Sequence, residues 1–177
     1  MSQKTKRILM AFFGVIVTGF CVGTFQKANL GTDPFTCFVT GIANIFGSTY
    51  STFYVIVTGA LLIGVFLVER HYIGIATVIN LFGTGISADF MRGLWDMLIP
   101  NPGMGGRVVL MLIGVLGSCF SASVYFTADV GVSAYDAVSL IAANKYKLLP
   151  FKVCRVLSDL VCVTVGLVFH AMVGVGT

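Results

Sequence analysis

Charged residues are scarce in this sequence, since Asp, Glu, Lys and Arg together make up only 10% of the 177 residues. A soluble globular domain carries about 25%, so the chain lacks the side chains that a water-facing surface needs. Hydrophobic residues account for 57%, and the mean hydropathy is +0.97. The composition excludes an ordinary soluble domain and predicts a protein that folds in a lipid bilayer.

Patterns that carry catalysis, metal binding or nucleic-acid binding are also missing. The sequence has no Gly-rich phosphate loop, no nucleophile motif and no zinc-type His spacing. The net charge of +4 comes from scattered cations rather than a basic stripe, which excludes nucleic acid as a partner. The five cysteines form no C-x-x-C pair and lie in apolar surroundings, where thiols act as small hydrophobes. We therefore expect no enzyme activity, no cofactor and no metal.

Long apolar runs are present, and five of them approach or exceed the roughly 20 residues of a membrane-spanning helix. The predicted spans are residues 8–25, 51–68, 74–99, 107–128 and 151–173. Two shorter apolar segments, 34–46 and 134–143, reach only about 18 Å as helices. A bilayer core is about 30 Å thick, so they are either half-helices that dip into the membrane or part of a thinned region. The predicted fold is an all-α polytopic membrane protein.

The N-terminal run resembles a signal peptide because it follows Lys4, Lys6 and Arg7. It has no convincing small-x-small cleavage site and more spans follow it, so we expect the helix to be retained. The positive-inside rule then predicts a cytoplasmic N-terminus in a bacterial inner membrane.

Two parts of the chain one hundred residues apart match without a gap. Residues 28–35 (ANLGTDPF) correspond to 128–135 (ADVGVSAY), and the pairs Gly14/Gly114, Asn44/Asn144 and Thr77/Thr177 keep the same offset. The match predicts two internal repeats, 1–100 and 101–177. Duplicated membrane proteins are typical of secondary transporters, which bind their solute between the halves.

Each predicted short helix begins with capping chemistry. Asp33 precedes Pro34, which suits an Asp N-cap with proline at the first helical position. Ser133 and Asp136 match an acidic variant of the capping box. Gly31 and Gly131 stand just upstream of the two starts. Helix starts at membrane depth present a positive pole that can bind anionic groups. The alternative is that these residues simply cap helices near the membrane interface.

The orientation of the repeats stays open at the level of sequence. If the short segments are re-entrant, each full repeat has three spans and the copies are inverted. Lys145, Lys147 and Lys152 are then cytoplasmic, and the matching segment 45–52 carries no cation, as the positive-inside rule favours. If the short segments span, the copies are parallel. Residues 78–99 follow Thr77 but have no counterpart after Thr177, so we expect the full-length protein to have one more span.

Ionisable residues inside predicted spans are costly and need a role. Arg155 and Asp159 lie four residues apart on one helical face, so they can bind solute and proton or simply neutralise each other. Arg155 can also reach for the cytoplasmic interface. Asp89 follows a small-residue stretch and is a candidate for proton coupling, although Arg92 offers it a local partner.

The motifs together resemble a known group of proteins. The loop 30–35, the loop 129–136, the Arg155-x-x-x-Asp159 pair and the terminal Gly174-Val175-Gly176-Thr177 are similar to the YczE/YyaS/YitT group of bacterial multi-pass membrane proteins. The resemblance implies a small inner-membrane protein of a largely uncharacterised group, and it names no substrate. Members typically continue beyond the Gly-Thr motif at which this chain ends.

The sequence therefore predicts an inner-membrane transport protein for a small solute, anionic or zwitterionic, bound at the repeat interface. The expected partners are the lipid bilayer and the solute, and a homodimer is left open. The alternative is a non-transporting accessory or assembly factor of another membrane complex. The candidate solute-binding residues are Gly31, Asp33, Pro34, Gly131, Ser133, Asp136, Arg155 and Asp159, and the candidate proton site is Asp89.

Overall fold

The computed structural model describes residues 3–147, 149–171 and 173–177, and these residues form helices without any strand. The predicted all-α fold is confirmed, and both short helices begin at their predicted residues. The elements are α1 (Gln3–Ala28), α2 (Pro34–Ile45), α3 (Tyr50–Val68), a short 3-10 turn (Arg70–Tyr72), α4 (Ile75–Leu98), α5 (Met104–Ala128), α6 (Ala134–Asn144) and α7 (Phe151–Val168).

By length and apolar composition, three helices in the described part of the chain could cross a membrane, namely α1, α3 and α5. The other two predicted spans are also helical, as α4 and α7, but they are more polar. Helix α4 carries Asp89, Arg92 and Asp96, and α7 carries Arg155 and Asp159. The apolar helices agree with a membrane location.

The C-terminal predicted span, 151–173, is too long. Helix α7 ends at Val168, and His170 then adopts a left-handed conformation with a φ of 56°. Beyond this point the backbone folds back, and the Gly176 N–H donates to the Leu30 carbonyl oxygen at 3.0 Å. A glycine-rich tail that hydrogen-bonds to a distant loop cannot also extend the helix. Met172, within the predicted span, lies outside the described residues.

Helix α1 packs antiparallel to α5. Its residue Gly14 faces Tyr125, whereas Phe25, further along α1, faces Gly114. The Ser121 hydroxyl donates to the Gly14 carbonyl oxygen at 2.7 Å. Because each contact has a glycine on one of the two helices, the helices can approach closely, as in packed membrane helices.

Helix α4 packs parallel to α1 on another face. Gly19 of α1 faces Ser87, and Lys27 near the end of α1 contacts Asp96 at 2.5 Å. Helix α3 then runs antiparallel to α4, since Ser51 at the start of α3 contacts Asp89, whereas Tyr54, further along α3, contacts Asn80, which is earlier in α4. The three helices α1, α3 and α4 therefore form one continuous packing unit.

The short helices pack across the molecule. In α2, Cys37 and Gly41 contact Gly166 of α7. In α6, Ala137 belongs to a buried cluster with Val65 of α3. Helix α2 therefore contacts α7, the long helix that follows α6, and α6 contacts α3, the long helix that follows α2.

The loops before α2 and α6 make the same contacts at positions one hundred apart. The Ala76 N–H donates to the Val130 carbonyl oxygen at 3.2 Å, and the Gly176 N–H donates to the Leu30 carbonyl oxygen at 3.0 Å. Gly31 and Gly131 adopt φ values of 115° and 121°, a region open only to glycine. Each loop thus contacts the Gly-x-x-Thr segment of the other half of the chain.

Candidate functional site

Both short helices begin with the predicted caps. The Thr36 N–H donates to Asp33 Oδ2 at 3.0 Å, and Pro34 occupies the first helical turn. The Asp136 N–H donates to Ser133 Oγ at 3.1 Å, and the Ser133 hydroxyl donates to Asp136 Oδ2 at 2.8 Å. The polar side chains of these caps thus stand at the first turn of α2 and of α6.

The two helix starts meet through an aromatic pair. The rings of Phe35 and Tyr135 stack with their centroids 4.8 Å apart, and Tyr54 of α3 meets Phe35 edge-on at 5.9 Å. Phe35 and Tyr135 occupy matching positions of the two predicted repeats. The stack therefore holds the first turn of α2 against the first turn of α6.

A cavity of about 570 Å³ surrounds this meeting point. Thr18 and Val22 line it from the central part of α1, and it reaches the surface at the exposed side chains of Val115 and Phe126 on α5. Its charged lining residues are Asp33, Asp136 and Arg155. A cavity lined mainly by apolar and aromatic side chains, with a few polar groups, is the usual form of a small-molecule site.

Arg155 is held by two carboxylates and one ring. Its guanidinium forms an ion pair with Asp136, and its Nε lies 3.5 Å from Asp159 Oδ1. The same guanidinium lies over the Tyr135 ring, 4.4 Å from the centroid. The Tyr135 hydroxyl donates to Asp159 Oδ1 at 2.6 Å, which closes the network. Binding an anion at Arg155 would compete with both carboxylates.

A second group of polar side chains lines the cavity from α3, α4 and α5. The Tyr54 hydroxyl donates to Asn80 Oδ1 at 2.8 Å. Beside it lie the hydroxyls of Thr58 and Thr84 and the phenol of Tyr125, of which the Tyr125 phenol finds no hydrogen-bond partner among the described residues. These three side chains are only 2%, 2% and 6% exposed, and all line the cavity. A buried hydroxyl without a partner is costly, so the cavity offers an unused hydrogen-bonding group to a bound molecule.

The structure brings most of the predicted solute-binding residues together. Asp33, Pro34, Ser133, Asp136 and Arg155 all line the cavity. Asp159 is not part of the lining, but it contacts Arg155 and Tyr135, which are.

Three of the predicted residues lie elsewhere. Gly31 and Gly131 shape the loop contacts and are not part of the cavity lining. Asp89 also lies outside the cavity lining, where its Oδ2 accepts a hydrogen bond from the Ser51 N–H at 3.3 Å. Asp89 therefore contacts the start of α3 and does not face the cavity.

The aromatic and hydroxyl groups of the site were not predicted from the sequence. Tyr54, Thr84 and Tyr125 lie on three different helices, and only packing shows that they face one space. Phe35 and Tyr135 were open to detection, because they occupy matching positions in the two repeated loops. Asp136 was predicted as a cap, but its ion pair with Arg155 joins different helices and has no local sequence pattern.

Comparison with known proteins places the chain among membrane proteins of unknown function. A family model described as "Family of unknown function (DUF6198)" matches residues 5–177. An uncharacterised protein of Haemophilus influenzae is 26% identical over 178 residues, which cover 99% of this chain and 78% of the relative. No solved structure is significantly similar.

Two relatives from Bacillus subtilis confirm the resemblance seen in the sequence. The uncharacterised membrane protein YczE is 26% identical over 136 residues, covering 76% of this chain and 61% of YczE. The uncharacterised protein YyaS is 21% identical over 168 residues, covering 93% of this chain and 81% of YyaS. This chain therefore spans less than two thirds of YczE.

Proposed function

The chain belongs to the DUF6198 family, and we propose that it is an inner-membrane transport protein for a small solute. The observation that carries the proposal is the cavity, which lies where the starts of two short helices from different halves of the chain meet. Secondary transporters commonly bind solutes at broken helices near the membrane midplane, between internal repeats.

We further propose that the halves are inverted repeats. The antiparallel packing of α1 against α5, which occupy matching positions in the two halves, supports inversion. The exchanged loop contacts of Leu30 with Gly176 and of Val130 with Ala76 support a two-fold relation between the halves. In this arrangement α2 and α6 are re-entrant, and the N-terminus is cytoplasmic. Asp89 keeps its predicted role as the proton site, outside the solute cavity.

Cysteine labelling tests the topology. His71 precedes α4 and Asn101 follows it, so the two residues are separated by the length of this 24-residue helix. In a cysteine-free background, His71→Cys should react with a membrane-impermeant maleimide only after the cells are opened. Asn101→Cys should react in intact spheroplasts. Labelling of His71→Cys from outside the cell would contradict inversion.

Blocking the cavity tests transport. The protein is reconstituted into proteoliposomes and offered labelled amino acids, organic amines and short carboxylic acids, one at a time. We expect uptake of at least one compound to fall more than 10-fold in Ala122→Trp, since Ala122 lines the cavity and an indole would fill its mouth. Leu116→Trp on the same helix is the control, because Leu116 is 71% exposed and lies outside the cavity lining.

Two outcomes would contradict the transport proposal. One is that no compound enters the proteoliposomes, and the other is that Ala122→Trp transports as well as Leu116→Trp. Either outcome favours the accessory or assembly role, in which the cavity has no solute to carry.

A further inference from the structure

We propose that the solute carries a protonated amine, which Asp33 binds, and an apolar or aromatic body that lies against the aromatic side chains lining the cavity. This inference rests on the proposed transport function and names the class of solute. It selects a cationic or zwitterionic amine over the simple anion that the sequence left open.

The distribution of charge in the cavity is the first argument. Arg155 already contacts Asp136 and Asp159, so its positive charge is matched by two carboxylates. Asp33 lines the same cavity, and no cation of the described residues forms an ion pair with it. The N-terminus of α2 supplies about half a positive charge beside it. The Arg155 network and Asp33 together therefore carry an excess of negative charge, and Asp33 is the carboxylate of the cavity lining that has no cation in an ion pair among the described residues.

The aromatic lining is the second argument. Eight aromatic residues from six helices line the cavity, among them Phe35, Tyr50, Tyr54, Tyr125 and Tyr135. Ring faces attract cations, most strongly where water is excluded. The guanidinium of Arg155 already occupies one face of Tyr135 in this way. Phe35 stacks on the same ring, so an amine with an apolar body would contact the other aromatic side chains and the apolar walls.

The buried hydroxyls are the third argument. Tyr125 is almost fully buried, lines the cavity and makes no hydrogen bond within the described residues, and the buried hydroxyl of Thr84 lines the cavity as well. A hydroxyl can accept a hydrogen bond from an ammonium group as well as donate one. These groups surround the cavity with acceptors in addition to the Asp33 carboxylate. These buried hydroxyls favour a polar ligand in the cavity, and this argument does not depend on the helix caps.

Three probes with the same phenyl ring separate the charge classes: phenethylamine as the amine, phenylalanine as the zwitterion and 3-phenylpropionate as the anion. Their dissociation constants are measured on the purified full chain in detergent by isothermal titration calorimetry. We expect at least one of the two amine-bearing probes to bind and 3-phenylpropionate to bind at least 10-fold more weakly.

Asp33→Asn is the decisive variant, because asparagine caps a helix as well as aspartate and the fold is preserved. It should weaken binding of the amine about 10- to 100-fold, the loss expected for a hydrogen bond to a charged group. Asp129→Asn is the matched control, since Asp129 is exposed beside Arg7 and lies outside the cavity. It should leave binding unchanged.

The outcomes also separate this inference from the transport proposal. Three outcomes would overturn the proposal that the solute carries an amine. They are binding of 3-phenylpropionate alone, binding of no probe, and equal binding by Asp33→Asn and the unaltered chain. Uptake of a carboxylic acid that Ala122→Trp blocks would keep transport and overturn the amine. Amine binding that depends on Asp33, without uptake of any compound, would keep the amine site and overturn transport.

Discussion

Gly131→Val should lower the free energy of unfolding by about 3 kcal/mol or more, from backbone strain and overpacking combined. Gly131 has a φ of 121°, which side chains rarely adopt, and an added Cβ would lie 2.7 Å from the backbone nitrogen of Gly74. Neither backbone can move without breaking the contact between the loop and the start of α4. The change is measured by SDS titration of the protein in mixed micelles.

The control for this prediction is Gly59→Val. Gly59 lies within α3, has no neighbouring atom within 4 Å of an added Cβ and has no positive φ. We expect its unfolding curve to stay close to that of the unaltered chain. Gly31→Val should behave like Gly131→Val, because Gly31 meets Gly174 and Thr177 in the same way. An unchanged unfolding curve for both loop variants would refute the described loop contacts.

Arg155→Leu should lower the free energy of unfolding by about 2 kcal/mol and abolish transport. The change leaves Asp136 and Asp159 facing each other without a cation, and unpairing a buried charge is strongly destabilising. The Arg155 side chain is 34% exposed, so we expect less than the full cost of a deeply buried pair. Stability is followed by SDS titration, and transport by uptake into proteoliposomes.

A triple variant separates the stability of this network from its function. Arg155→Leu combined with Asp136→Asn and Asp159→Asn removes all three charges, so most of the lost stability should return while transport stays absent. Arg7→Leu is the matched control, because its pair with Asp129 is exposed and surface pairs contribute about 0–1 kcal/mol. If Arg155→Leu is as stable and active as Arg7→Leu, the ion-pair network has no such role.

The relation between sequence and structure differs for helices and for the site. The short helix 34–46 was predicted within one residue of Pro34–Ile45, because its Asp-Pro start is encoded locally. The C-terminal span was overestimated, because α7 ends at a left-handed turn at His170, where the Ala171 N–H donates to the Gly166 carbonyl oxygen at 2.8 Å. The Asp-Pro start has a recognisable residue pattern, whereas this left-handed turn falls on a histidine, a residue type that does not mark a helix end in the sequence.

The sequence by itself determined that the protein is helical and membrane-embedded, since apolar composition and run length set the solvent in which a chain can fold. It also determined the two capped helix starts. Only the tertiary structure decided that α1 and α5 are antiparallel, that Arg155 pairs first with Asp136, and that Phe35 stacks on Tyr135. These contacts join residues far apart in the chain, so they depend on how helices pack and not on any local pattern of residues.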